Sequence, residues 1–187
     1  MHRHVIATCA LLCAASAHAD LVIDQAQGLV LDVTAAIGEG TSTAYAVIDF
    51  GATGGSSWAL AYSWNGDATG HDMLSAFQTH LSLDYDWTDW GSGYFVDNFS
   101  FAGDVGDPAN YWAHSLATPD GSGTVDWADA WSGVETTALS DGLLSGWYNG
   151  FNEDFSAITP TLPLTTIPAP SAAVLLLLGL KGRRRRC

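Results

Sequence analysis

The sequence predicts an α+β domain, mostly β, in which a single main helix lies on one compact antiparallel-rich sheet. Three observations carry the prediction. Residues 57–64 alternate between large and small side chains with a strand period. Residues 71–81 hold the one convincing apolar stripe at helical spacing. The remaining body is cut into short aromatic runs by Gly, Asp, Asn and Pro. One helix among several strands defines the class.

The elements follow in order. Tyr45–Phe50 is β-branched and aromatic and reads as a strand. In Ser57–Trp64, Trp58, Leu60, Tyr62 and Trp64 share one face, and Ala59, Ala61 and Ser63 the other. The Gly-rich link 51–56 suits a hairpin turn, and Asn65-Gly66 ends the second strand. His71–Leu81 places Met73, Leu74, Phe77 and Leu81 on one stripe, with Asp72 near the positive end of the helix dipole. Tyr94–Phe101 reads as a strand with Phe95, Phe99 and Phe101 on one face. Asn110–Leu116, Val125–Ser132 and Leu144–Phe151 are shorter candidates. Residues 158–167 are Thr- and Pro-rich without periodicity and read as an extended spacer, which sets the globular domain at 20–157.

The two ends differ from the body. Met1-His2-Arg3-His4 is followed by an apolar stretch to Ala15, with Ala17 and Ala19 in small-x-small order. This predicts a signal peptide over 1–19, cut before Asp20. Residues 168–187 run from Pro168-Ala169-Pro170 through the apolar Ser171–Leu180 to Lys181 and Arg183, Arg184, Arg185 and Arg186, ending on Cys187. As a helix the apolar part spans roughly 15 Å, about half of a bilayer core. The Arg cluster is expected on the cytoplasmic side, which leaves the body outside. This order of Pro-x-Pro, short apolar helix and terminal Arg cluster resembles the PEP-CTERM sorting tail, with Ala169 where the family carries Glu. The resemblance implies recognition by an exosortase-type enzyme, cleavage near the Pro-x-Pro and transfer to the cell surface or extracellular matrix.

Charge narrows the function. All 20 Asp and Glu lie between Asp20 and Asp154, and no Lys or Arg occurs between Asp20 and Leu180. Such a surface repels phosphate backbones, so nucleic acid is not an expected partner. Schiff-base lysines, P-loops and Arg clamps are absent from the body. Cys9 and Cys13 leave with the signal peptide, so the body has no disulfide.

No catalytic constellation stands out. There is no Gly-x-Ser-x-Gly elbow, no evident carboxylate pair for glycoside hydrolysis, and His71, His80 and His114 lack zinc-ligand spacing. These histidines are expected to be packed or solvent-exposed. The expectation is a non-enzymatic protein without a required cofactor.

Ca²⁺ is the metal that the acidic clusters could hold. Its candidates are the alternating Asp84, Asp86 and Asp89, the group Asn65, Asp67 and Asp72, and the group Asp120, Asp126 and Asp129. The competing reading is acid-rich turns.

Aromatic residues offer a ligand site. Trp87, Trp90, Tyr94, Tyr111, Trp112, Trp127, Trp131 and Trp147 cluster near turns and strand ends, with roughly two-thirds of them expected in the core. Trp90, Tyr94, Tyr111, Trp112 and Trp147 are the candidate binding residues, for stacking on sugars or cations.

Residues 70–149 also resemble the small C-terminal β-domain of transcobalamin-type proteins. The matching pieces are Gly70, Met73, Leu74 and Phe77, then Trp90-Gly91-Ser92-Gly93-Tyr94, Tyr111-Trp112, and Leu139-Ser140-Asp141-Gly142 before Gly146-Trp147. That resemblance implies a domain that holds or covers a ligand such as a corrinoid. The expected function is therefore an exported surface or matrix protein with a non-catalytic binding domain. The alternatives are capture of a corrinoid, carbohydrate or calcium ligand, and a secreted hydrolase. Expected partners are signal peptidase, an exosortase-type enzyme, the membrane before processing, and a matrix polymer or small ligand.

Overall fold

A computed structural model of the chain describes residues 20–167. The predicted signal peptide with Ala17 and Ala19, and the predicted sorting tail with Pro168, Ala169, Pro170, Arg183, Arg184, Arg185, Arg186 and Cys187, lie outside the described residues. Among the described residues no helix is long and apolar enough to cross a membrane.

The domain is mostly β with one α-helix, as the sequence predicts. Its strands are β1 (Val22–Asp24), β2 (Leu29–Leu31), β3 (Val33–Gly38), β4 (Ser42–Asp49), β5 (Ser57–Trp64), β6 (Asp84–Asp89), β7 (Tyr94–Phe101), β8 (Asp104–Val105), β9 (Ala113–Ala117), β10 (Ala128–Asp129), β11 (Leu144–Tyr148) and β12 (Leu164–Thr166). The helix α1 spans Gly70–Leu81. The main sheet has the order β10-β9-β11-β4-β5-β3, with β11 parallel to β4, β3 parallel to β5 and the other pairs antiparallel.

Strand β4 sits near the middle and is buried on both faces. Ala44, Ala46 and Ile48 face a core shared with Met73, Leu74 and Phe77 of α1 and with Tyr85 and Phe99 of the β6-β7-β8 sheet. Tyr45 and Val47 face a second core shared with Ile23, Leu31 and Leu162 beneath the β1-β2-β12 sheet. The result is three layers. The alternation of β5 divides as predicted: Leu60 and Trp64 enter the first core, Ala59 and Ala61 the second. Small alanines let the second layer approach closely, while the aromatic face fills the space beneath the helix.

The helix starts one residue before its predicted onset. Thr69 caps it, and a capping box pairs the Thr69 side chain with the Asp72 N–H and the Asp72 carboxylate with the Thr69 N–H. This arrangement stabilises the helix start by about 1 kcal/mol.

Three predictions on the body change. In β7 a bulge at Asp97 breaks the register, since Asp86 pairs with Asn98 and Trp87 with Val96. The extra residue flips the parity of the strand, so Val96 and Phe99 are buried and Phe95 turns outward. Asp97 is held outward by the Thr88 hydroxyl, which donates to its carboxylate at 2.6 Å. Of the runs 110–116, 125–132 and 144–151, the paired parts are Ala113–Ala117, which extends one residue beyond the first run, Ala128–Asp129 and Leu144–Tyr148, and the remainder lies in loops.

Finally, residues 158–167 are extended but belong to the domain. Pro160 is buried, Thr161 N–H donates to Asp49, Asp32 N–H donates to the Pro163 carbonyl, and β12 pairs with β2. The domain therefore continues past 157.

Candidate functional site

At the β10 end of the main sheet lies an open cleft of about 650 Å³. This is within the range of small-molecule sites. Its floor comes from the sheet: His114 of β9 and Trp147 of β11 face the same side, paired across the strands. Their rings stack in parallel, centroids 3.9 Å apart and 4° from coplanar. Ser145 lies beneath both. Its Oγ accepts from Trp147 Nε1 at 3.1 Å and sits 2.9 Å from His114 Nε2. His114 is only 7% exposed, and burial brings its pKa down to about 3, so the ring is neutral.

The walls are loops, each tied down. Trp112 is wedged edge-on against Phe50 and Phe99 and donates from Nε1 to Asn98. The loop carrying Asn110 and Tyr111 is pinned by buried Asn149. Its Oδ1 accepts from Asp107 N–H at 2.7 Å, and its Nδ2 donates to the carbonyls of Asp107 and Asn110. The loop after β10 is fastened to β7, since the Glu135 carboxylate accepts from Tyr94 N–H at 2.7 Å and Val134 N–H donates to the Tyr94 carbonyl.

A further wall is the loop from Phe151 to Ala157, closed by a bridge between those two residues. Asn152 and Ser156 bond across it, and Asp154 accepts from both the N–H and the hydroxyl of Ser156, which lowers its pKa. At the loop tip Phe155 has φ 64°. A bulky residue in the left-handed region is held there only by its surroundings, at a cost of about 1–2 kcal/mol. The strain presents an aromatic ring that is 77% exposed at the cleft mouth.

Of the candidate binding residues, Tyr94, Tyr111, Trp112 and Trp147 all line this cleft. Trp90 does not; it is exposed at the β6–β7 turn. The aromatic residues are less buried than expected. Of the eight named, Trp112 and Trp147 are buried, Tyr94 and Trp127 half-buried, and Trp87, Trp90, Tyr111 and Trp131 exposed. The cleft accounts for much of this, because Tyr111 and Trp131, 79% and 77% exposed, stand on its rim.

Sequence reasoning placed Trp131 among the dense aromatics without choosing it as a binding residue, and missed Phe95, Phe151, Phe155 and His114 as lining residues. The available signal was positional. Trp131 and Phe155 sit in Asp-, Ser- and Asn-rich stretches where no strand face exists to bury them.

Several of the acidic candidates hold backbone groups of turns and caps. Asp84 and Asp86 lie on the outer face of β6, whereas the Asp89 carboxylate accepts from Gly91 N–H at 2.7 Å. Asp72 closes the capping box, Asp120 accepts from Ser122 N–H, and Asp129 accepts from Ala157 N–H. Among the described residues no three His, Cys, Asp or Glu side chains are grouped as metal ligands.

His71 is packed rather than free. It contacts the Tyr85 hydroxyl at 3.1 Å and lies edge-on to the stacked pair Trp87 and Tyr94.

Comparison with protein-family models, with curated proteins and with solved structures gave no match to this chain. The fold and the cleft are therefore the basis for the functional reading.

Proposed function

We propose that this protein is exported and acts as a non-catalytic capture module, holding a small ligand or the end of a matrix polymer in the aromatic cleft. One observation carries the reading: Tyr111, Trp131 and Phe155 remain exposed around a single concave site whose loops are already fixed. Exposed aromatic rings converging on a concavity mark a binding site.

Binding without turnover is supported by the floor. Ser145 is buried and its oxygen is occupied by the Trp147 N–H, so it is a poor nucleophile. A histidine with a pKa near 3 is a weak general base. No Lys or Arg between Asp20 and Ile167 is available to stabilise a developing anion.

The destination rests on the ends of the chain. The signal-like residues up to Ala19 and the PEP-CTERM-like order from Pro168 to Arg186 support export, handling by signal peptidase and an exosortase-type enzyme, and surface or matrix delivery. Until processing, the C-terminal apolar segment holds the chain at the membrane.

Two measurements test the proposal. Sequencing the N-terminus of cell-surface material should begin at Asp20; material beginning at Met1 would defeat the export reading. Trp fluorescence of the purified chain should respond to at least one member of a panel of glycans, corrinoids and quaternary amines. No response would remove the capture reading.

A further inference from the structure

Resting on the reading of the cleft as a binding site, the geometry points to an uncharged pyranose oligosaccharide as its occupant. His114 Nδ1–H is the donor at the floor, and the rings of Tyr111, Trp131 and Phe155 are the stacking walls.

The donor follows from a count of protons. An indole nitrogen only donates, so Ser145 Oγ accepts the Trp147 N–H. The hydroxyl proton of Ser145 has no acceptor in the described fold other than His114 Nε2. Placing it there satisfies all three groups and leaves Nε2 as an acceptor. The imidazole proton then sits on Nδ1. Nδ1 has no partner among the described residues, and His114 lines the cleft. Stacking on Trp147 fixes the ring plane, so the floor offers one oriented donor in an apolar surround.

An occupant must bring an acceptor for that donor and apolar faces for the rings. A hydrocarbon brings no acceptor and leaves the N–H desolvated and unpaired. A quaternary ammonium also brings none, and it meets the positive end of the N–H dipole. Asp129 and Glu153 stand at the exposed edge, with Asp129 already bonded to Ala157 N–H. An anionic sugar finds 20 acids and no Lys or Arg between Asp20 and Ile167. An uncharged pyranose has what the site asks for. Its C–H faces lie on aromatic rings, and its ring and hydroxyl oxygens accept hydrogen bonds. Asn110, Ser132 and Asn152 line the same cleft and supply further hydroxyl partners.

The test titrates the purified full-length chain with cellohexaose, xylohexaose and mannohexaose, read by Trp fluorescence and calorimetry. Oligogalacturonate, tetramethylammonium and cobalamin are the comparators. At least one neutral hexasaccharide is expected to bind, and oligogalacturonate tenfold or more weaker. Trp131→Ala, at an exposed position, is expected to lower affinity at least tenfold. His114→Phe keeps the stack but removes the donor, and is expected to do the same. Should His114→Phe fail to fold, Trp131→Ala decides alone.

Saccharide binding that Trp131→Ala leaves unchanged overturns the cleft as its site. Oligogalacturonate binding as tightly as the neutral sugars overturns the charge argument. Trp131-dependent binding of tetramethylammonium or cobalamin, without saccharide binding, overturns the saccharide class and leaves the capture reading standing. Silence from every probe overturns both.

Discussion

The Asp49 carboxylate accepts a hydrogen bond from the backbone N–H of Thr161 at 2.7 Å, across 112 positions of sequence. Asp49 is 4% exposed, and its other oxygen accepts from Gly51 N–H at 2.7 Å. A buried carboxylate with both oxygens engaged fixes two things at once: the turn after β4 and the C-terminal segment that crosses the sheet.

Asp49→Ala should therefore destabilise the domain by about 2–4 kcal/mol, since two charge-assisted bonds are lost and two N–H groups are left unpaired. Urea unfolding measures the loss. Amide exchange at Thr161 and Thr165 should accelerate with it. Unchanged exchange at those positions would show that the C-terminal segment is held by other contacts.

The pH dependence of stability should carry the signature of His114. Burial holds its folded pKa, about 3, below the ordinary unfolded value of about 6.5. As pH falls through 6.5 the unfolded chain takes up the proton first. The stability owed to the neutral ring is full above that pH and is lost progressively toward 3. Between pH 7 and pH 5 the chain should lose about 2 kcal/mol relative to His114→Phe. Parallel stability curves for the two proteins would contradict this.

Gly146 admits the second layer. A Cβ at this position would lie 2.5 Å from Trp127 Cζ3 and 2.7 Å from Pro160 Cγ. Gly146→Val should cost about 1–3 kcal/mol by overpacking and displace Trp127. Denaturation should show the loss, and Trp emission should shift to the red. A fully stable variant with unchanged emission would mean that the ring is not where this packing puts it.

Phe155 trades stability for presentation. Its φ of 64° suits Asn better than Phe, and its ring is 77% exposed, with little packing to lose. Phe155→Asn should raise stability by about 0.5–1 kcal/mol while weakening binding of the cleft's ligand. A fall in stability would show that the ring is packed rather than displayed.

How much of this was legible depends on the residue. The faces of β5 and the stripe of α1 could be read directly, because one buried face imposes one period. The strand β6 was hidden because Asp84, Asp86 and Asp89 look like turn residues, and only the pairing with β7 shows that alternate positions are anchored by Tyr85. The bulge at Asp97 and the parallel pairing of β11 with β4 are properties of the assembled sheet, without a local signature. The cleft was half-visible. Its Tyr and Trp residues attracted notice by type, but their convergence depends on Asn149 and Glu135 tying together loops that lie far apart in the chain.

The position of β4 has a consequence for assembly. One neighbour, β5, follows it at once as a hairpin, but the other is β11, whose residues 144–148 come near the end of the domain. Until that stretch arrives, one edge of this buried strand stays unpaired, and a chain that stops short of residue 144 cannot close the sheet. Folding is therefore governed by a long-range pairing and is slow compared with helical domains of this size. A chain that cannot complete itself until it is nearly whole keeps that strand edge open to other strands for longer.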